Sequence, residues 1–121
     1  MQAMQETILL NSKAGQELID LSPLWIEQFS TPHFTLRATE PLELIPVLKS
    51  QEIVIELPQF GIIATAKTRE EAIEALQEDI IWLWLEYTRT PDEQLSRDAR
   101  ELKRELLALF REEYSLCLET R

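Results

Sequence analysis

Histidine, cysteine and glycine are scarce in this chain: one His, one Cys and two Gly among 121 residues. Each shortage removes a class of chemistry. A zinc-type site takes three or four Cys or His ligands, and His33 and Cys117 are the only ones present. A Ser or Cys nucleophile with an imidazole base would have to use His33. That residue stands between Pro32 and Phe34 with no nucleophile motif in the chain, and it reads as a surface or edge-strand histidine. Phosphate cradles need closely spaced glycines, and Gly15 and Gly61 are isolated, so neither a dinucleotide fingerprint nor a P-loop can be built. A single cysteine forms no internal disulfide, which points to a reducing compartment. The first six residues carry no basic stretch and no apolar run of a secretory signal. The longest apolar run, residues 80–85, is far short of the roughly 20 residues a bilayer requires. The expectation is a cytoplasmic protein without membrane attachment, metal, cofactor or catalytic role.

What is present is an ordinary globular composition, 45% hydrophobic and 28% charged, at a length that suits one domain over residues 1–121. Twelve basic residues face 22 acidic ones, a formal charge of −10 spread along the chain. A negative field of that kind disfavours nucleic acid and anionic lipid and suits a basic partner protein.

Two helices and several strands are legible. Thr68-Arg69-Glu70-Glu71 is a capping box, in which the threonine hydroxyl takes an amide that the helix leaves unpaired. Beyond it Ile73, Leu76, Ile80, Leu83 and Tyr87 recur at helical spacing beside Ala72 and Ala75, a stripe that should lie on a sheet. A second start is expected at Thr90-Pro91-Asp92-Glu93, with Pro91 at the first helical position and Ser96 as a competing cap. Ala99, Leu102, Leu106, Leu109, Phe110 and Tyr114 then predict one amphipathic helix over residues 91–118, running on through Leu116, Cys117 and Leu118. Upstream, Ile53, Ile55 and Leu57 alternate with Glu52, Val54 and Glu56 in a strand that Pro58 ends, and residues 62–67 supply its hairpin partner. Residues 34–39 read as a strand and 6–10 as another, while 24–27 fit no single pattern. Pro46 argues against an uninterrupted helix over 42–48. The fold class is α+β: a small antiparallel sheet of three to four strands packed by a long helix, followed by a C-terminal amphipathic helix.

Three groups of residues stand out as contact candidates. Glu70, Glu74 and Glu78 share a helix face, and Arg97, Arg100 and Arg104 form a basic stripe on the last helix. Either is most simply a solvated face, and the two stripes can also answer each other. The third group lies in residues 80–85, which are apolar around the whole circumference of the helix, so one buried face cannot account for them. Either the C-terminal helix covers the far side, or Ile81, Trp82, Trp84 and Leu85 form an interface anchored by tryptophan.

The turn Leu57-Pro58-Gln59-Phe60-Gly61, its flanking strands and the run from Thr68-Arg69-Glu70-Glu71-Ala72 to Leu76 resemble the core of HicB-type antitoxins, over about residues 34–87. The resemblance implies a three-stranded antiparallel sheet with a helix across it, residues 34–39 supplying the first strand, and a role in blocking a small basic ribonuclease. Gln59 and Phe60 depart from the second proline and acidic residue usual in that family's turn, and the last helix does not look like the DNA-binding region its members often append. The expected function is therefore a small non-enzymatic interaction domain, antitoxin-like, binding a basic partner and self-associating as a dimer or higher homo-oligomer. Two alternatives stay open: a small-ligand or minimal carboxylate-based enzyme domain using Glu52 and Glu56, and an RNA-binding accessory protein using the arginine stripe.

Overall fold

The computed structural model describes residues 7–12 and 15–114. In chain order the strands are β1 (Thr7–Ser12), β2 (Gly15–Asp20), β3 (Leu24–Ser30), β4 (Thr35–Leu44), β5 (Val47–Lys49), β6 (Glu52–Leu57), β7 (Ile62–Ala66) and β8 (Phe110–Glu113); the helices are α1 (Arg69–Thr88) and α2 (Arg97–Leu109). The fold is α+β, as the alternation of strand and helix periods predicts. Two compact units divide the chain: Met1–Trp25 with Glu43–Asp79, and Ile26–Leu42 with Ile80–Arg121.

In the first unit β1 and β2 form an antiparallel ribbon with Thr7 opposite Asp20. β5, β6 and β7 form a second sheet in that order. Its register is tight: Val47 faces Val54, and Leu57 faces Ile62. Side chains alternate across a strand, so Ile53, Ile55 and Leu57 share one face with Ile62 and Ala64, and all five are buried. Ala72 and Leu76 are buried in the same unit. The β6–β7 connection is the predicted one. Pro58–Phe60 makes a short 3-10 turn, and Gly61 ends it in the left-handed region at φ 67°, donating its N–H to the Pro58 carbonyl at 3.1 Å. α1 begins at the predicted cap, where Thr68 Oγ1 accepts the Glu71 N–H at 3.1 Å.

The second unit contains the sheet β3-β4-β8, with β8 antiparallel to β4 and Leu36 opposite Glu112. Phe29, Leu36, Ile80, Leu106 and Phe110 are essentially inaccessible there, and the Phe29 and Phe110 rings meet at 6.1 Å between centroids.

Three sequence expectations are corrected. Of the strand expected at residues 34–39, residues 35–39 belong to β4, which pairs with β8 through residues 35–38, whereas the third strand beside β6 and β7 is β5, a segment too short for its alternation to register. The last helix does not run over 91–118. It starts at Ser96, whose Oγ accepts the Ala99 N–H, and Pro91 instead leads into a separate 3-10 turn, Asp92–Gln94. Two basic side chains secure that turn: Lys103 Nζ donates to the Thr90 carbonyl and to Asp92 Oδ1, each at 2.8 Å, and Arg100 donates to the Asp92 and Leu95 carbonyls. At the other end Phe110 is already extended (φ −135°, ψ 160°) and residues 110–113 are strand. Leu116, Cys117, Leu118 and Glu6 lie outside the described residues. The undecided residues 24–27 open β3.

Candidate functional site

The second face of the β5–β6–β7 sheet leaves aliphatic side chains exposed. With Val47 opposite Val54 and Glu56 opposite Ile63, this outer face carries Val47, Val54 and Ile63 beside Glu52 and Glu56. Ile45, just before β5, extends it. Ile45, Val47 and Ile63 are 59%, 40% and 63% exposed, whereas Val54 at the centre is buried. A shallow cavity of about 390 Å³ lies here, lined by Glu43, Ile45, Val47, Lys49, Val54 and Glu56. Lys49 is directly opposite Glu52. Three carboxylates therefore surround aliphatic surface against one ammonium, an arrangement that presents apolar contact area inside a rim favouring cations.

A second cavity in the same unit, about 340 Å³, is lined by Ile19, Asp20, Ile53, Lys67, Thr68, Arg69 and Glu70. Its guanidinium is already committed. Arg69 Nη1 donates to the carbonyls of Asp20 at 2.9 Å and Ser22 at 2.8 Å, and lies 3.4 Å from the Asp20 carboxylate. The Ser22 hydroxyl and N–H, with the Arg69 charge, hold the Asp20 carboxyl below its ordinary value. This corner braces the segment after β2 against the start of α1.

The residues singled out from sequence fall in different environments. Trp84 is only 3% exposed, Trp82 is 60% exposed, Leu85 is exposed and Ile81 half-buried. Trp84 packs edge-on to Phe110, with centroids 6.4 Å apart and rings at 82°. Phe110, which the sequence places in the covering stripe of the last helix, meets this tryptophan from the first position of strand β8. Glu70, Glu74 and Glu78 are all exposed on α1. Arg97 is exposed and reaches Glu101 at 4.0 Å, Arg100 is spent on the two carbonyls before α2, and Arg104 is exposed. His33 is exposed in the β3–β4 connection and donates its N–H to Thr31 Oγ1 at 3.0 Å.

A residue that the sequence did not single out organises the second unit. Glu112, its side chain 14% exposed, accepts hydrogen bonds from Trp84 Nε1, from Arg89 Nη1 at 2.5 Å and from the Tyr114 hydroxyl. Burial pushes its carboxyl up, but the hydrogen bonds from Arg89, Tyr114 and Trp84, with the Arg89 charge, outweigh that and leave its pKa below the ordinary value. The same hydrogen bond to Glu112 leads in raising the Tyr114 phenol. Reading residues 110–114 as helix hides this cluster, because only a strand projects Phe110 and Glu112 to the same side.

The outer face sets the carboxylates of Glu43, Glu52 and Glu56 and the Lys49 ammonium around aliphatic side chains. Among the described residues no group of three or more His, Cys, Asp or Glu is placed to hold a metal ion, and no helix is long and apolar enough to cross a membrane. The chain matches no model of a known protein family, no curated protein and no solved structure.

Proposed function

We propose that this chain is a non-enzymatic protein-interaction domain that binds a basic partner protein through the outer face of the β5–β6–β7 sheet. The observation that supports it is the exposure of Ile45, Val47 and Ile63 on one sheet face within a rim of Glu43, Glu52 and Glu56. Apolar area supplies affinity, and the carboxylate rim with the net charge of −10 selects the sign of the partner and speeds its approach. A basic inhibitor target is what the resemblance to HicB-type antitoxins implies. Exposed Trp82 and Leu85 on α1 offer a further apolar contact of the same kind.

The test is affinity capture from the native host followed by titration of the recovered partner. One small basic protein at fixed ratio is expected. Ile45→Ser with Val47→Ser should weaken it by about tenfold to a hundredfold, as for loss of two well-buried anchors, and binding should weaken with added salt. A partner whose affinity ignores both changes refutes the reading. A second reading, a small-molecule site using Glu43 and Glu56, draws on the 390 Å³ cavity between them; a cationic-ligand screen read by melting temperature tests it, and no shift counts against it.

A further inference from the structure

We infer that β7 is a self-pairing edge, so that two copies of the chain join their sheets through antiparallel β7 strands about a two-fold axis. Among the described residues, β5 and β7 are the edges of the sheet ordered β5-β6-β7. Exposed edges are ordinarily blunted by charge, proline, bulges or brevity. β5 is blunted: it has three residues, ends in Lys49 and follows Pro46. β7 is not. Ile62-Ile63-Ala64-Thr65-Ala66 has five residues, no charge and no proline, and Ile63 and Thr65 are exposed on it.

Charge decides which occupant this edge suits. Two copies at −10 each repel over most of their surface, so they can approach only where charge is absent, and β7 is such a place. Full overlap of a five-residue strand with its copy centres the pair on Ala64. That register sets Ile63 opposite Thr65 of the other copy and Lys67 opposite Gly61, with no like charges face to face. The nearest carboxylate on the shared face, Glu56, is on β6. Across the pair the two β6 strands are three strand spacings apart, about 14 Å, beyond the screening length of about 8 Å at physiological salt. An antiparallel pair about a two-fold keeps the same faces on the same side, so the two outer faces become continuous across six strands. This pairing does not depend on the face taking a basic partner.

Light scattering and sedimentation equilibrium on the full chain test it. Wild type should run at twice its 14.2 kDa. Ile63→Lys and Thr65→Glu, each placing like charges diagonally across the two-fold, should each raise the dimer dissociation constant by about tenfold or more. The double variant Ile63→Lys/Thr65→Glu sets each new lysine opposite a new glutamate and should restore the dimer. Circular dichroism and melting temperature check that the variants fold; if Ile63→Lys does not, Thr65→Glu carries the single-variant arm. A monomeric wild type, a dimer indifferent to the folded single variants, or a double variant no better than either one overturns the inference. Strand addition by another protein to a monomeric chain appears as the first of these outcomes.

Discussion

Glu112 shows how one side chain ties distant parts of the second unit. It receives three donors, one from the buried Trp84 indole. Removing the acceptor leaves that indole N–H unpaired away from water, which costs about 1–3 kcal/mol. Glu112→Ala should therefore lower stability by about that amount in chemical denaturation, and Glu112→Gln by less, because its amide oxygen still accepts. A Glu112→Ala protein as stable as wild type would show that Trp84 finds another partner at no cost. Of the arginines singled out from sequence, Arg97 reaches Glu101 and Arg100 holds the carbonyls before α2, whereas it is Arg89 that joins Trp84 at Glu112.

At the scale of elements, the two hairpin connections of the β5–β6–β7 sheet differ in how well their residues suit them. Gly61 holds φ 67°, and an added Cβ would meet nothing within 4 Å, so Gly61→Ala is penalised by backbone strain alone, about 1–2 kcal/mol. Between β5 and β6, Ser50 and Gln51 both take positive φ, 51° and 64°, without being glycine. A two-residue hairpin of this type favours Asn-Gly. The double change Ser50→Asn/Gln51→Gly should raise stability by up to about 1 kcal/mol, since both residues then sit where their backbone preference lies. Thermal melts of the two variants should move in opposite directions.

Over the whole molecule, the paired carboxylates set the response to acid. The Ser22 hydrogen bonds lower Asp20, the Lys103 hydrogen bond lowers Asp92, and the Arg37 hydrogen bond lowers Glu113, while Glu112 is lowered against its burial. Groups whose folded pKa is depressed contribute stability that is complete above their unfolded pKa and lost as pH falls through the folded value. The unfolded values lie near 4, so the loss should begin at about pH 4 to 5 and deepen below it. Self-repulsion acts the other way, easing as pH falls toward the isoelectric point near 4.5. The melting temperature should therefore change little from pH 7 to about 5 and drop below about 4. A melting temperature that climbs strongly between pH 7 and about 5 would mean that relief of self-repulsion, not these pairs, governs the response to acid.

The amino-acid sequence by itself determined what depends on neighbours a few residues apart: the alternation that makes β6, the proline and glycine that turn it into β7, the Thr68 cap that starts α1. It also determined the charge, which is a sum over residues and needs no fold. Only the tertiary structure decided the rest. Residues 110–113 contain no glycine or proline to stop a helix, and they become β8 because residues 35–38, far away in the chain, offer a strand to pair with. That pairing turns Phe110 and Glu112 toward Trp84 and makes a candidate interface residue part of the core. The outer face was hidden for a related reason: Ile45 and Val47 stand together but Ile63 comes from a separate strand, and only strand register sets Val47 and Ile63 on one surface.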